Sequence, residues 1–136
     1  LWHQRVQQIL GAKAQVAYRD LDQYSKFIHE TPNHYDIILI DGATRYNCAV
    51  DALTHLKPSG IIVLDNSEWY PGASAFLREQ GFTQIEFEGF TPFTSFPSVT
   101  SVFHKEPIRF KYKPKPKKWV PLGSKAFPLV TDDKLV

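Results

Sequence analysis

Three aspartates stand where chemistry could be done: Asp20, Asp41 and Asp65 each close a short apolar run, AQVAYRD, YDIILID and GIIVLD. If these runs are strands of one parallel sheet, all three carboxylates meet at one edge, beyond the carboxyl ends of the strands, where such sheets bind ligands. Carboxylates so close repel one another. They are tolerated when a cation, a sulfonium-bearing ligand, a hydroxyl-rich ligand or a metal sits among them. Aspartate is also a common turn and cap residue, which is the plainer account of each one singly. Arg45 and Tyr46 follow Asp41, and Asn66 and Trp69 follow Asp65, so they would flank the same edge. Arg45 and Tyr46 fit equally well as the exposed first turn of a helix.

The elements that must position these groups are legible from periodicity. Trp2, Val6, Ile9 and Leu10 share a helical face, and Gly11 stands where that helix would stop. Ala14 to Tyr18 reads as a short strand, and Leu21, Tyr24, Phe27 and Ile28 as the next helical face. Tyr35 to Ile40 is the strongest strand, and its unbroken apolar run predicts burial on both faces. Cys48, Ala49, Ala52, Leu53 and Leu56 form a helical stripe, Lys57 to Gly60 a turn, and Ile61 to Leu64 a second strand. A helix over Ala73 to Gln80 ends at Gly81, and strands over Phe82 to Phe90 and Val99 to Lys105 follow with no helix between them, which predicts antiparallel pairing. The fold class is therefore α/β, a doubly wound sheet with an antiparallel terminal strand pair.

Composition bounds the rest. The chain of 136 residues is 43% hydrophobic and 22% charged, enough for one domain with a single core. No apolar run is long enough to span a membrane and no secretory leader pattern is visible, so the expected location is cytoplasmic. Cys48 is the only cysteine, which rules out an intrachain disulfide. The chain has no methionine, so Leu1 is not expected to be the natural start. Residues 1–105 carry 8 Lys and Arg against 11 Asp and Glu, whereas residues 106–136 carry 8 against 3. This divides the chain into a slightly acidic body, 1–105, and a basic, Pro- and Lys-rich arm, 106–136. Ile108, Phe110 and Tyr112 alternate there with Arg109, Lys111 and Lys113 ahead of Pro114 and Pro116. The arm is expected to be extended and to serve solubility rather than nucleic-acid binding. Ser67 lacks a nucleophile-elbow context, Cys48 reads as core, and the five histidines show no metal spacing. Phe90, Phe93 and Phe96 could cover a pocket or fold back on the core.

The stretch YDIILIDG, followed by RYNCAVDALTHLKPSGIIVLDNSEWYPGA and REQGF, resembles the class I S-adenosylmethionine-dependent methyltransferases over roughly the first three quarters of the chain. The resemblance implies a Rossmann-like domain with strand order 3-2-1-4-5-7-6 and methyl transfer from S-adenosylmethionine to a small-molecule acceptor. It implies cofactor contacts at Asp20, Leu21 and Asp41, substrate contacts at Arg45, Tyr46 and Trp69, and catalytic roles for Asp41 and Asp65. Asp41, Asp65 and Asn66 further resemble the Mg²⁺ site of catechol-type O-methyltransferases, where the metal holds and ionises a substrate hydroxyl. Thr44 and Arg45 stand where those enzymes usually carry a lysine. The family's glycine-rich loop and its ribose-binding acid have no counterpart here. The chain is thus expected to lack the first two strands of the full fold, leaving a mid-sheet gap for an upstream segment or protein partner to fill. The alternative is a non-catalytic, methyltransferase-like assembly module.

Overall fold

The computed structural model describes residues 2–90 and 96–107. Helix α1 (Trp2–Leu10) ends at Gly11, which adopts φ +55°, as the sequence anticipates. After it come strand β1 (Tyr35–Ile40), helix α2 (Arg45–Ala52), strand β2 (Leu56–Leu64), helix α3 (Pro71–Glu79) and strands β3 (Thr83–Phe90) and β4 (Pro97–His104). The four strands form one sheet in the order β1-β2-β4-β3. β1 and β2 are parallel, and β4 runs antiparallel to both β2 and β3. This is the α/β, Rossmann-like arrangement with an antiparallel terminal pair.

One face of the sheet makes the core. Ile40, Ile62, Leu64 and Phe103 point to it and pack with Ala49 and Ala52 of α2 and Ala73 and Leu77 of α3. The small residues on the helices let them sit close to the larger strand side chains, and Phe82 closes the layer at the end of α3. The other face carries a row set by strand register: Leu39 opposite Val63, Val63 opposite Val102, and Val102 opposite Ile85. That face is open on the β1 side, where Ile37 is 60% and Leu39 63% exposed. β1 is therefore covered on one face only in this chain, not on both.

Two other expectations change. Residues 14–18 form no strand, because a strand needs a neighbouring backbone and none lies alongside. The Gln7 side chain takes that place, donating from Nε2 to the Ala14 carbonyl at 3.0 Å and accepting from Val16 N–H at 2.7 Å. Residues 57–60 are absorbed into β2 as a bulge instead of forming a separate turn: Tyr35 pairs Leu56, yet Ile37 pairs Ile61. Gly60 makes this possible, since a Cβ there would lie 2.7 Å from Leu56 Cδ1. The basic arm from Ile108 onward, and Phe93 in the loop before β4, lie outside the described residues.

Candidate functional site

β1 and β2 both deliver their carboxyl ends to one rim, so Asp41 and Asp65 emerge side by side, and Asp65 N–H donates to the Ile40 carbonyl at 3.1 Å. Between them lies Arg45, only 8% exposed although it opens α2. Its Nε donates to the Gly42 carbonyl at 2.9 Å and its Nη2 to Asp41 Oδ1 at 3.3 Å. Its Nη1 donates to the Asp65 carbonyl and to Asn66 Oδ1, the latter at 3.4 Å. The guanidinium plane lies over the Tyr70 ring, 4.7 Å from its centroid. Four of the five guanidinium donors are thus spent on oxygens from both strand ends. Asp41 itself is half exposed, so its ion pair with Arg45 is screened, and the buried carbonyl bonds hold the side chain more firmly.

The backbone at this rim is unusual. Among the described residues, only Thr44 and Asn66 combine a side chain with positive φ, at 47° and 46°. Asparagine tolerates that region, whereas a β-branched threonine is strained there by about 1–3 kcal/mol. Thr44 immediately precedes α2 and Asn66 opens the loop after β2, so both turns stand at the strand ends that Arg45 bridges.

That loop, residues 65–69, is fastened to β4 side chain by side chain. Thr100 Oγ1 donates to Asp65 Oδ1 at 2.6 Å, and Asn66 Nδ2 donates to Ser98 Oγ at 2.9 Å. Ser67 Oγ donates to the Val99 carbonyl at 3.2 Å and lies 2.6 Å from Ser101 Oγ, while Val99 N–H donates to Glu68 Oε2 at 3.0 Å. Ser67 is therefore a buried fastener, in keeping with its lack of nucleophile context. The fastened loop leaves Trp69 62% exposed, and across α2 Tyr46 is 50% exposed with its ring 5.6 Å from Phe76. Exposed aromatic rings thus stand on the loop that follows Asp65 and on α2 next to Arg45 in the chain.

Asp20 and Leu21 do not join this group. Asp20 is exposed, accepts from the Tyr18 hydroxyl at 2.9 Å and closes its own turn by accepting from Gln23 N–H. Leu21 is exposed beside it. Between this segment and β1 runs a cleft of about 490 Å³, with Gln15, Val16, Ala17 and Arg19 on one bank and Tyr35 and Ile37 to Gly42 on the other. It follows the free edge of β1, the place where the resemblance puts two further strands. At its rim end Tyr24 lies so close over Gly42 that a Cβ there would collide with the phenol.

Sequence reasoning missed two features. Nothing in the spacing announced that Arg45 would be buried, because a residue at a helix start is ordinarily solvated. Three of the five histidines that look scattered in sequence are gathered by the fold. His29 Nδ1 lies 3.0 Å from His55 Nε2, His29 Nε2 lies 3.1 Å from Asp51 Oδ1, and the His34 ring lies 6.0 Å from that of His55. Burial would raise the Asp51 carboxyl, but hydrogen bonds from Ser25 and His29 and the charges of His29 and Lys26 outweigh it and hold the group below its ordinary range. This cluster pins residues 25–30 to α2. Burial pushes the Cys48 thiol up, so no thiolate is offered there. Among the described residues no group of three or more His, Cys, Asp or Glu is placed to hold a metal, and no helix is long and apolar enough to cross a membrane.

No family model and no curated protein matches the chain. Solved structures do match. A precorrin-6y C5,15-methyltransferase from Geobacter metallireducens is 20% identical, with 57% of this chain and 49% of that chain covered and a TM-score of 0.46. A methyltransferase from Pyrococcus furiosus is 14% identical, with 55% and 43% covered and a TM-score of 0.43. M1.HpyAVI, solved as a complex with SAM, is 17% identical, with 77% and 60% covered and a TM-score of 0.51. The chain spans about half the length of the solved structures it matches. At such identity the likeness to the last of these concerns the fold, the Rossmann-like α/β sheet already described.

Proposed function

We propose that this chain is part of an S-adenosylmethionine-dependent methyltransferase acting on a small-molecule acceptor, with its reacting end at the rim formed by Asp41 and Asp65. The observation that carries this reading is the delivery of both aspartates to one rim by adjacent parallel strands, in a sheet whose last strand is antiparallel. The likeness in fold to M1.HpyAVI, which was solved with SAM, supports the choice of cofactor.

The sulfonium of that cofactor is an activated methyl donor, so the protein's work is alignment and exclusion of water. Asp41, half exposed beside Gly42, is suited to the cofactor's cationic methionine end. Asp65, held at Oδ1 by Thr100, keeps its second carboxylate oxygen for an acceptor O–H or N–H. Tyr46 and Trp69 supply exposed flat surface on which an acceptor would lie. Arg45 fixes the distance between the two strand ends. Asp20 and Leu21, which follow Arg19 of the cleft's bank in the chain, keep the adenine-side role that the resemblance implies. The cleft has the size of a ligand pocket, roughly 300–1,000 Å³, yet its bank is a strand edge that no strand among the described residues pairs. An upstream segment or protein partner that pairs with this edge would complete the cofactor's cradle.

Mg²⁺ does not fit the residues as placed. Asp41 Oδ1 and Asn66 Oδ1 already accept from the Arg45 guanidinium, and Asp65 Oδ1 accepts from Thr100. No step is therefore assigned to a metal. The alternative of a non-catalytic assembly module rests on the open apolar face at Ile37 and Leu39.

Calorimetric titration with S-adenosylhomocysteine separates the two readings, run on this chain and on a longer parent that contains it. Binding by the parent, weakened by Asp41→Asn, supports the enzyme. Silence from both chains removes it.

A further inference from the structure

We infer that Arg45 is the built-in cation of the rim, held among oxygens of the kind that a divalent ion takes as ligands. It acts as a positioning residue that makes the site independent of metal. The inference rests on the rim being the reacting end proposed above only for its bearing on catalysis; the placement of the cation stands on geometry alone.

Four oxygens from three kinds of group converge on the guanidinium: the Gly42 and Asp65 carbonyls, the Asp41 carboxylate and the Asn66 amide oxygen. A set of carboxylate, amide and carbonyl oxygens is the donor chemistry of hard cations such as Mg²⁺ and Ca²⁺. Here every one of them is taken up by N–H groups of a single buried side chain. A metal entering this cage would have to displace a guanidinium that is also stacked on Tyr70, and would meet its positive charge at close range. The guanidinium's fork shape matters as well. One edge reaches the end of β1 and the other the end of β2, so the spacing of Asp41 and Asp65 is set by a rigid planar group and not by a solvated ion of variable occupancy.

The test uses Tb³⁺, an oxygen-seeking ion whose emission is excited through nearby aromatic rings, here Trp69 and Tyr70. The wild-type chain is expected to show no saturable emission, and its melting temperature is expected to be the same in Mg²⁺ and in EDTA. Arg45→Gln and Arg45→Ala, once shown to be folded by circular dichroism, free the cage. They are expected to show saturable Tb³⁺ emission where wild type shows none, with the gain lost on adding Asp41→Asn. Arg45→Lys keeps a cation and is expected to behave as wild type. Saturable Tb³⁺ or Mg²⁺ binding by wild type that Asp41→Asn removes would overturn the inference, and so would folded neutral variants that gain nothing. Should both neutral variants fail to fold, the wild-type arms decide alone: a melt shifted by Mg²⁺ sinks the inference and an unchanged one upholds it. S-adenosylhomocysteine titrations on the same proteins keep the two proposals apart, since silence there removes the methyltransferase reading and leaves the cation's place untouched.

Discussion

The two ends of the described chain are held by different physics. From β1 onward the molecule has nine buried apolar residues, from Ile40 to Phe103, gathered in one layer. Residues 2–34 have none, and Trp2, Ile9, Tyr18 and Leu21 of that region are more than 60% exposed. The first region is held by burial, each large side chain contributing about 1.5–3 kcal/mol. The second is held by polar pins at its margins: Gln7 on Ala14 and Val16, Arg19 on Glu30, and His29 on Asp51. The rim of the candidate site belongs wholly to the first region, whereas the far bank of the cleft belongs to the second. A cleft split this way has one wall set in the packed core while the other is fastened only by polar contacts at its margins.

This contrast can be broken most forcefully in the core. Phe103→Ala is expected to cost about 3–5 kcal/mol in chemical denaturation, because Phe103 is fully buried between β2 and the helices. Ile9→Ser, in contrast, should change stability by less than about 0.5 kcal/mol, as exposed positions do. Equal losses for the two would show that α1 is packed after all and that the division is wrong.

A smaller effect sharpens the contrast within the rim. Thr100→Val removes the hydroxyl that fastens Asp65 and should cost about 1–2 kcal/mol by the same measurement. The emission of Trp69 should also shift as the loop over residues 65–69 loosens. An unchanged spectrum together with unchanged stability would mean that β4 does not hold the loop.

The smallest effect is expected at the seam between the regions. Asp51 is held below its ordinary carboxyl value, so its contribution is present above that value and is lost as pH falls through the lowered one. Hydrogen exchange of residues 25–30, taken relative to its intrinsic rate at each pH, should therefore quicken on acidification, before the strands exchange. In Asp51→Asn it should already be quick near neutrality and lose this pH dependence. Persistent acid sensitivity in that variant would place the pin elsewhere.

What could be read in advance followed the range of each interaction. Tyr35–Ile40 was plain because six residues of one pattern suffice for a strand, and Gly81 marked the end of α3 because φ +86° suits glycine there. Ala14 to Tyr18 looked equally strand-like, but pairing depends on a neighbour that local pattern cannot supply. Lys57 to Gly60 carried true turn chemistry, yet β1 alongside drew it into a bulged strand. The aspartates at the ends of β1 and β2 were visible one at a time. Their common guanidinium was not, since residues 41, 45, 65 and 66 meet only when two strands lie parallel.

By itself, then, the sequence determined the main elements from β1 onward, their order and the placing of Asp41 and Asp65 at strand ends, because hydrophobic period and turn residues act over a few positions. The tertiary structure alone decided that Arg45 is buried, that β4 fastens the loop at Asp65, and that His29, His55 and Asp51 meet. Those contacts join groups 20 to 35 residues apart, or depend on what covers a helix start, and only the packed sheet fixes either.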